Sequence, residues 1–223
     1  MLAGGVMRDR VVALDSNPDK GGTLRLKFPA GQSARPLHLL AGRTGGQLRS
    51  YSDLRPFLLS NGLGLDALTS SRHRDQAADG GVVYAEILDF LTADYRMVVA
   101  DCGTSATSDT AREVLSRATQ LVVVTPAQID GFYALLETLD ELVDMRHRDL
   151  LGDAVAVING IHESSSVDVD KIHADLKRRV RAVRRIPARP APCGGCGVRF
   201  RRAAAGDEGA YVELAATVTA RFR

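Results

Sequence analysis

Four short runs of apolar, mostly β-branched residues set the terms for any fold of this chain: Arg10–Leu14 (RVVAL), Met97–Ala100 (MVVA), Leu121–Thr125 (LVVVT) and Ala154–Ile158 (AVAVI). Each is nearly continuous rather than alternating, which is the pattern of a strand covered on both faces. Between and after them, apolar residues recur at helical spacing over Val83–Thr92, Ser108–Ala118, Pro126–Val143, Val167–Val183 and Glu208–Phe222. Ser108 or Asp109 is a plausible N-cap for the second of these helices. The last would place Tyr211, Ala215, Val218 and Phe222 on one face. Leu37–Ala41 and Leu65–Leu68 are weaker strand candidates beside Gly, Ser or Asn punctuation. Doubly covered strands alternating with helices define an α/β chain. The expected architecture is three-layered, a mostly parallel sheet with helices on both faces.

Composition narrows the setting. With 223 residues, 45% of them hydrophobic, the chain can bury a core without a disulfide or metal staple. Three cysteines, an odd number, argue against a disulfide framework and for a reducing cytoplasm. Basic and acidic residues number 29 and 27, so a net charge of +2 makes no case for nucleic acid. No apolar run reaches the roughly 18 residues that span a bilayer, and the opening MLAGGVMRDR lacks the pattern of a secretory signal. A soluble cytoplasmic domain is expected, with peripheral membrane association left open.

The strand ends carry the candidate chemistry, because ligands of open parallel sheets bind beyond the carboxyl ends of the strands. Three of the four runs lead into a polar residue, Asp15, Asp101 and Asn159, and the fourth leads into Thr125-Pro126. Two carboxylates at neighbouring strand ends suit a hydrated Mg²⁺ ion and a phosphate. An amide both donates and accepts, so Asn159 could bond the edge of a base. A phosphate loop of the form G-x-x-x-x-G-K-[ST] is not found, since no Gly-Lys pair occurs in the chain. Lys20-Gly21-Gly22-Thr23 reads as a glycine-rich turn. Cys193 and Cys196 form a CxxC, but with Cys102 as the third cysteine the spacing of a zinc site is not met. The basic run Lys177–Arg185 reads as the solvated face of a helix, or as a patch for an acidic partner. The final helix is Ala-rich and without Trp, which favours core packing over a membrane surface. G-x-S-x-G is absent.

These residues also carry a family resemblance. Val11–Leu24 (VVALDSNPDKGGTL) resembles the switch I region of the MinD/ParA family of deviant-Walker ATPases, and is especially similar to actinobacterial MinD-like proteins, some of them linked to type VII secretion. Tyr95–Ser105 (YRMVVADCGTS) resembles that family's Walker B and switch II segment. Leu121–Gly131 (LVVVTPAQIDG) and Val155–Gly160 (VAVING) resemble its next two strands and their loops. The likeness covers Arg10–Pro187, in the family's order.

The resemblance implies a P-loop NTPase, Rossmann-like fold and the cofactors ATP and Mg²⁺. Asp15 corresponds to the switch I acid acting through Mg²⁺ and water, and Asp101 to the Walker B acid that holds Mg²⁺. Asn17 falls where many relatives have the acid that orients the attacking water, so the catalytic set would be Asp15, Asn17 and Asp101. Gly103 corresponds to the γ-phosphate sensor and Asn159 to the amide that reads adenine. Only 14 residues precede Asp15, which implies that the family's first strand and phosphate loop are absent and that hydrolysis is impaired or lost. Three regions are expected: a core over 1–187, a segment over 188–205 that departs from the family as though read out of frame, and a C-terminal helix over 206–223. Intact relatives serve chromosome partitioning, cell division, cargo positioning or secretion, through a homodimer or a protein partner. The rival reading is a non-catalytic interaction module, with the helix near Arg178 and Arg179 meeting an acidic partner.

Overall fold

The computed structural model describes residues 10–17, 23–29, 31–35, 37–41, 50–69, 80–162, 167–188 and 205–222. The chain divides into two compact units, with the change between Arg117 and Ala118.

In the first unit, β1 (Val11–Asp15) is followed by a 3-10 turn over Thr23–Lys27 and two short helices, α1 (His38–Ala41) and α2 (Tyr51–Leu54). A second 3-10 turn (Arg55–Phe57) leads into β2 (Leu58–Ser60) and β3 (Leu65–Leu68). Then come α3 (Gly80–Asp94), β4 (Met97–Asp101) and α4 (Asp109–Arg117). The strand order is β2-β3-β1-β4. β1 pairs in parallel with β3 and β4, and β2 pairs antiparallel to β3. Val11, Val12, Leu14 and Asp15 are all buried, so β1 is covered on both faces as its unbroken apolar run requires. The core gathers Val12, Leu14, Leu40, Phe57, Ile87 and Leu91.

Leu37–Ala41 departs from its expected strand. It forms a helical turn in which the Leu40 amide donates to the Leu37 carbonyl, burying both leucines beneath the sheet. An apolar run this short fits either a strand or one helical turn, and tertiary packing decides between them. Ser108 does cap α4, its hydroxyl accepting from the Ala111 amide at 3.1 Å.

A polar knot holds the amino-terminal end of this sheet. Asp66 on β3 is 7% exposed and accepts from the Tyr95 hydroxyl at 2.8 Å. The Tyr51 hydroxyl and the Arg10 guanidinium approach the same oxygen at 3.4 Å. Arg10 also lies over the Tyr51 and Tyr95 rings, 3.8 and 4.8 Å from their centroids. A buried carboxylate is thus hydrogen-bonded and countercharged, as burial demands.

The second unit runs β5 (Val122–Pro126), α5 (Ile129–Asp144), α6 (Arg148–Gly152), β6 (Val155–Ile161), α7 (Val169–Leu176), β7 (Ala182–Pro187) and α8 (Ala205–Thr219). Its sheet has the order β5-β6-β7, parallel throughout. Leu139, Ala156, Ile158, Ile172, Leu176 and Val183 lie in its core. The helix expected from Pro126 begins at Ile129 instead. Pro126 stays in the strand opposite Asn159, and the Ala127 amide extends the ladder by donating to the Asn159 carbonyl.

The helix expected over Val167–Val183 is shorter than its pattern. α7 starts on its Asp168 cap, which accepts from the Lys171 amide, and ends at Leu176. Residues 182–187 then enter the sheet as β7. Their arginines have partners elsewhere in the unit: Arg184 donates to the buried Thr217 hydroxyl, and the exposed Arg185 to Asp170 and His173 on α7. On α8 and just past its end, Tyr211 is exposed while Ala215, Val218 and Phe222 are half-buried and Thr217 is buried, so the packed face overlaps the expected one but is turned toward Thr217.

β4 and β5 each end a sheet among the described residues, and each is open on one face. Val99 is 50% exposed, and Val122 and Val124 are 38% and 59% exposed. No helix among the described residues is long and apolar enough to cross a membrane.

Candidate functional site

The parallel ladder between β1 and β4 sets Asp15 directly opposite Asp101 at the carboxyl ends of the two strands. Asp15 is 1% exposed, whereas Asp101 faces solvent. Ser16 fixes this register. Its amide donates to the Asp101 carbonyl at 3.0 Å and its hydroxyl to the same oxygen at 2.9 Å. The hydroxyl also approaches the Cys102 sulfur at 3.8 Å.

The chain turns sharply after β4. The Gly103 amide donates back to Asp101 Oδ1 at 3.1 Å, and Gly103 takes φ 69°, a left-handed conformation that glycine adopts without a Cβ penalty. A Cβ built there would stand 2.2 Å from Asn17 Oδ1, so the two loops approach as closely as an absent side chain permits. Tyr84 reaches the same region from α3. Burial pushes its hydroxyl far above the ordinary tyrosine range, and Asp15 and Cys102 push it further, so it remains a neutral hydroxyl at physiological pH. Burial also raises the Cys102 thiol, and nearby Asp101 adds to this against the opposing Ser16 hydrogen bond.

Asp15, Asn17, Asp101 and Gly103 therefore come together in the first unit. Asn159 belongs to the second unit, at the carboxyl end of β6, where its side chain is exposed and Gly160 turns the chain at φ 75°. Ser16, Tyr84 and Cys102 were not singled out from the sequence, although Ser16 and Cys102 adjoin residues that were. Lys20 to Gly22 and the cysteines at 193 and 196 lie outside the described residues.

The donor set fits one kind of cation. Mg²⁺ retains several waters and is held by one or two carboxylates together with phosphate oxygens. One buried and one solvent-facing carboxylate, with an amide alongside, meet that demand. Among the described residues no group of three or more His, Cys, Asp or Glu side chains is placed to hold a metal ion.

Comparison with known proteins bears on the fold. No protein-family profile matches the chain. The solved structures that resemble it are MinD and ParA ATPases. The cell division ATPase MinD of Pyrococcus furiosus superposes with a TM-score of 0.69 at 18% identity, over 98% of this chain and 89% of that one. The ParA family ATPase of Chlorobium tepidum gives 0.68 at 17% identity, over 84% and 76%. The septum site-determining protein MinD of Pyrococcus horikoshii, complexed with Mg-ADP, gives 0.60 at 18% identity, over 85% and 73%. The chain thus has the MinD/ParA ATPase fold, mostly parallel sheets flanked by helices, as its four sequence blocks led one to expect.

Among characterised sequences, it is similar to the ESX-1 secretion-associated protein EspI of Mycobacterium tuberculosis, with 31% identity over 157 residues in both strains compared. That match takes in 70% of this chain but 23% of EspI, so the chain spans about a quarter of that relative's length.

Proposed function

We propose that this chain is a MinD/ParA-like nucleotide-binding domain serving a secretion-associated role in the cytoplasm, with weak Mg-nucleotide binding and impaired hydrolysis. The observation that carries the reading is the register-locked pair Asp15 and Asp101 at the carboxyl ends of parallel strands in this fold. The Mg-ADP bound to the structurally similar MinD and the secretion-associated role in the name of EspI support the nucleotide and the setting.

In this reading Asp15 and Asp101 would hold the water shell of Mg²⁺, and the Gly103 amide, which here donates to Asp101 Oδ1, would turn to the terminal phosphate. Asn159, in the second unit, takes the base-reading role by family resemblance alone. When bound, Mg²⁺ supplies charge that offsets the phosphates. Asn17 orients water but accepts no proton, which slows hydrolysis. These 223 residues hold no Gly-Lys phosphate cradle. Each charge-assisted contact missing from such a cradle forgoes about 1.5–3 kcal/mol. Binding by this stretch alone is therefore weak, at about 1.4 kcal/mol per tenfold.

Calorimetric titration with Mg-ADP and Mg-ATP tests the reading. The expected result is Mg²⁺-dependent binding weakened about tenfold by Asp101→Ala, one lost contact at that scale, with no measurable turnover. A folded sample whose nucleotide binding ignores both Mg²⁺ and Asp101→Ala would sink it. A folded sample that binds no nucleotide supports the second reading, a degenerate scaffold that docks a protein partner.

A further inference from the structure

Helix α5 carries an arrangement that the nucleotide site does not use. Phe132, Leu135, Leu139 and Leu142 bury one face of it. At about 100° per residue, Ile129, Tyr133, Asp130, Glu137, Asp140, Glu141 and Asp144 fall within an arc of about 120° on the opposite face. Ile129 and Tyr133 are 51% and 59% exposed, one helical turn apart. The acids are also solvent-facing.

The charges on this face work against the helix that displays them. The helix sequence IDGFYALLETLDELVD has five acids and no basic residue. Glu137 with Glu141, and Asp140 with Asp144, are like charges four residues apart, and such pairs destabilise a helix. Glu141 and Asp144 also stand in the last turn, where the helix dipole favours cations. Among the described residues, only Asp140 of the five is ion-paired, with Arg179. A merely solvated face has no need of this sign pattern, since alternating Glu and Lys would solvate as well and stabilise the helix.

We infer that the outward face of α5 is a docking surface for a basic amphipathic helix of a protein partner. The partner's lysines or arginines lie along Glu137, Glu141 and Asp144, and an apolar side chain seats on Ile129 and Tyr133. Charge complementarity relieves the self-repulsion, and the apolar pair sets the register, as anchors at helical spacing do in helix-on-helix recognition. An anionic lipid surface or nucleic acid would be repelled by the same face.

The test uses the full chain with a fluorescein-labelled synthetic helix of Leu and Lys at amphipathic spacing, and the same helix with Glu replacing Lys. Anisotropy at low salt is expected to show binding of the Lys helix alone. Glu137→Lys with Glu141→Lys should weaken it at least tenfold while raising the thermal midpoint, because the new charges suit the helix end. Ile129→Ser with Tyr133→Ser should weaken it tenfold with the midpoint little changed. Equal binding of both helices overturns the inference, as does wild-type binding by either double variant. A lowered midpoint in the charge-reversal variant overturns the claim that the face is self-repelling.

Discussion

Tyr95→Phe removes one hydroxyl from the polar knot and leaves the ring, so no cavity follows; what is lost is a longer 3.4 Å contact from Arg10 and, mainly, the hydrogen bond to Asp66. That bond runs at 2.8 Å to a carboxylate 7% exposed, and a bond to a charged group contributes about 1.5–3 kcal/mol. The other two donors to Asp66 Oδ2 stand at 3.4 Å, too long to take over its load. The upper part of the range is therefore expected, about 2–3 kcal/mol, or on the order of 30- to 150-fold in the unfolding equilibrium. Burial, then the hydrogen bond and the charge of Asp66, hold the Tyr95 hydroxyl protonated well above its ordinary range, so the effect should not vary between about pH 6 and 9. The chain has no tryptophan. Urea unfolding is therefore followed by far-ultraviolet dichroism, with amide exchange at β1 and β3 reporting on the first unit. A double-mutant cycle with Asp66→Asn separates the bond from its surroundings. A loss below about 0.5 kcal/mol, or simple additivity in the cycle, would refute the reasoning, since neighbours sharing a bond couple by about 0.5–3 kcal/mol.

Gly131→Ala should destabilise by about 1 kcal/mol in urea unfolding, although alanine is ordinarily the better helix residue. The new Cβ would stand 2.4 Å from the rigid Pro126 ring; a stability gain would refute this. Gly103→Ala should cost about 1–2 kcal/mol for its left-handed backbone, and amide exchange should quicken at Ser16 while β7 is unaffected. Burial, then Arg185 and Lys177, lower the His173 pKa against the weaker pull of Asp170. The fold therefore favours the neutral ring: this contribution to stability is complete above about pH 6.5 and is lost as pH falls from there through the folded pKa. Proton NMR should place the His173 midpoint below the ordinary histidine value, and Arg185→Gln should move it upward. Iodoacetamide labelling, resolved by peptide mass spectrometry, should be slow at Cys102 near neutral pH and rise only above the usual cysteine range.

The strands that were legible are those whose sequence needs nothing distant to explain it. Val11–Asp15 and Val155–Ile158 read as buried strands because β-branched residues fill both faces; Met97–Asp101 reads the same way and forms a strand, but one open on one face. β7 was hidden because Arg184 and Arg185 look solvated until their partners are known, and Thr217 and Asp170 stand 33 and 15 residues away. Arg178 and Arg179, read as a patch for an acidic partner, pair within the second unit to Asp175 and Asp140. The carboxylates of the candidate site were visible as strand-terminal acids. Ser16 as their register lock and Tyr84 as their buried neighbour were not, because neither role exists before β1 and β4 meet.

That meeting has a consequence for the order of events in folding. Ser16 and Asp101 are 85 residues apart, and closing a loop of that length costs about 4 kcal/mol of chain entropy. α3 and its local contacts close shorter loops, so they are expected to form before the ladder is complete. The carboxylate pair is thus expected to be among the last features of the first unit to form. A chain still emerging from the ribosome has both acids but not their juxtaposition until β4 docks beside β1, and from that moment the pairing of the two acids reports that the unit has folded.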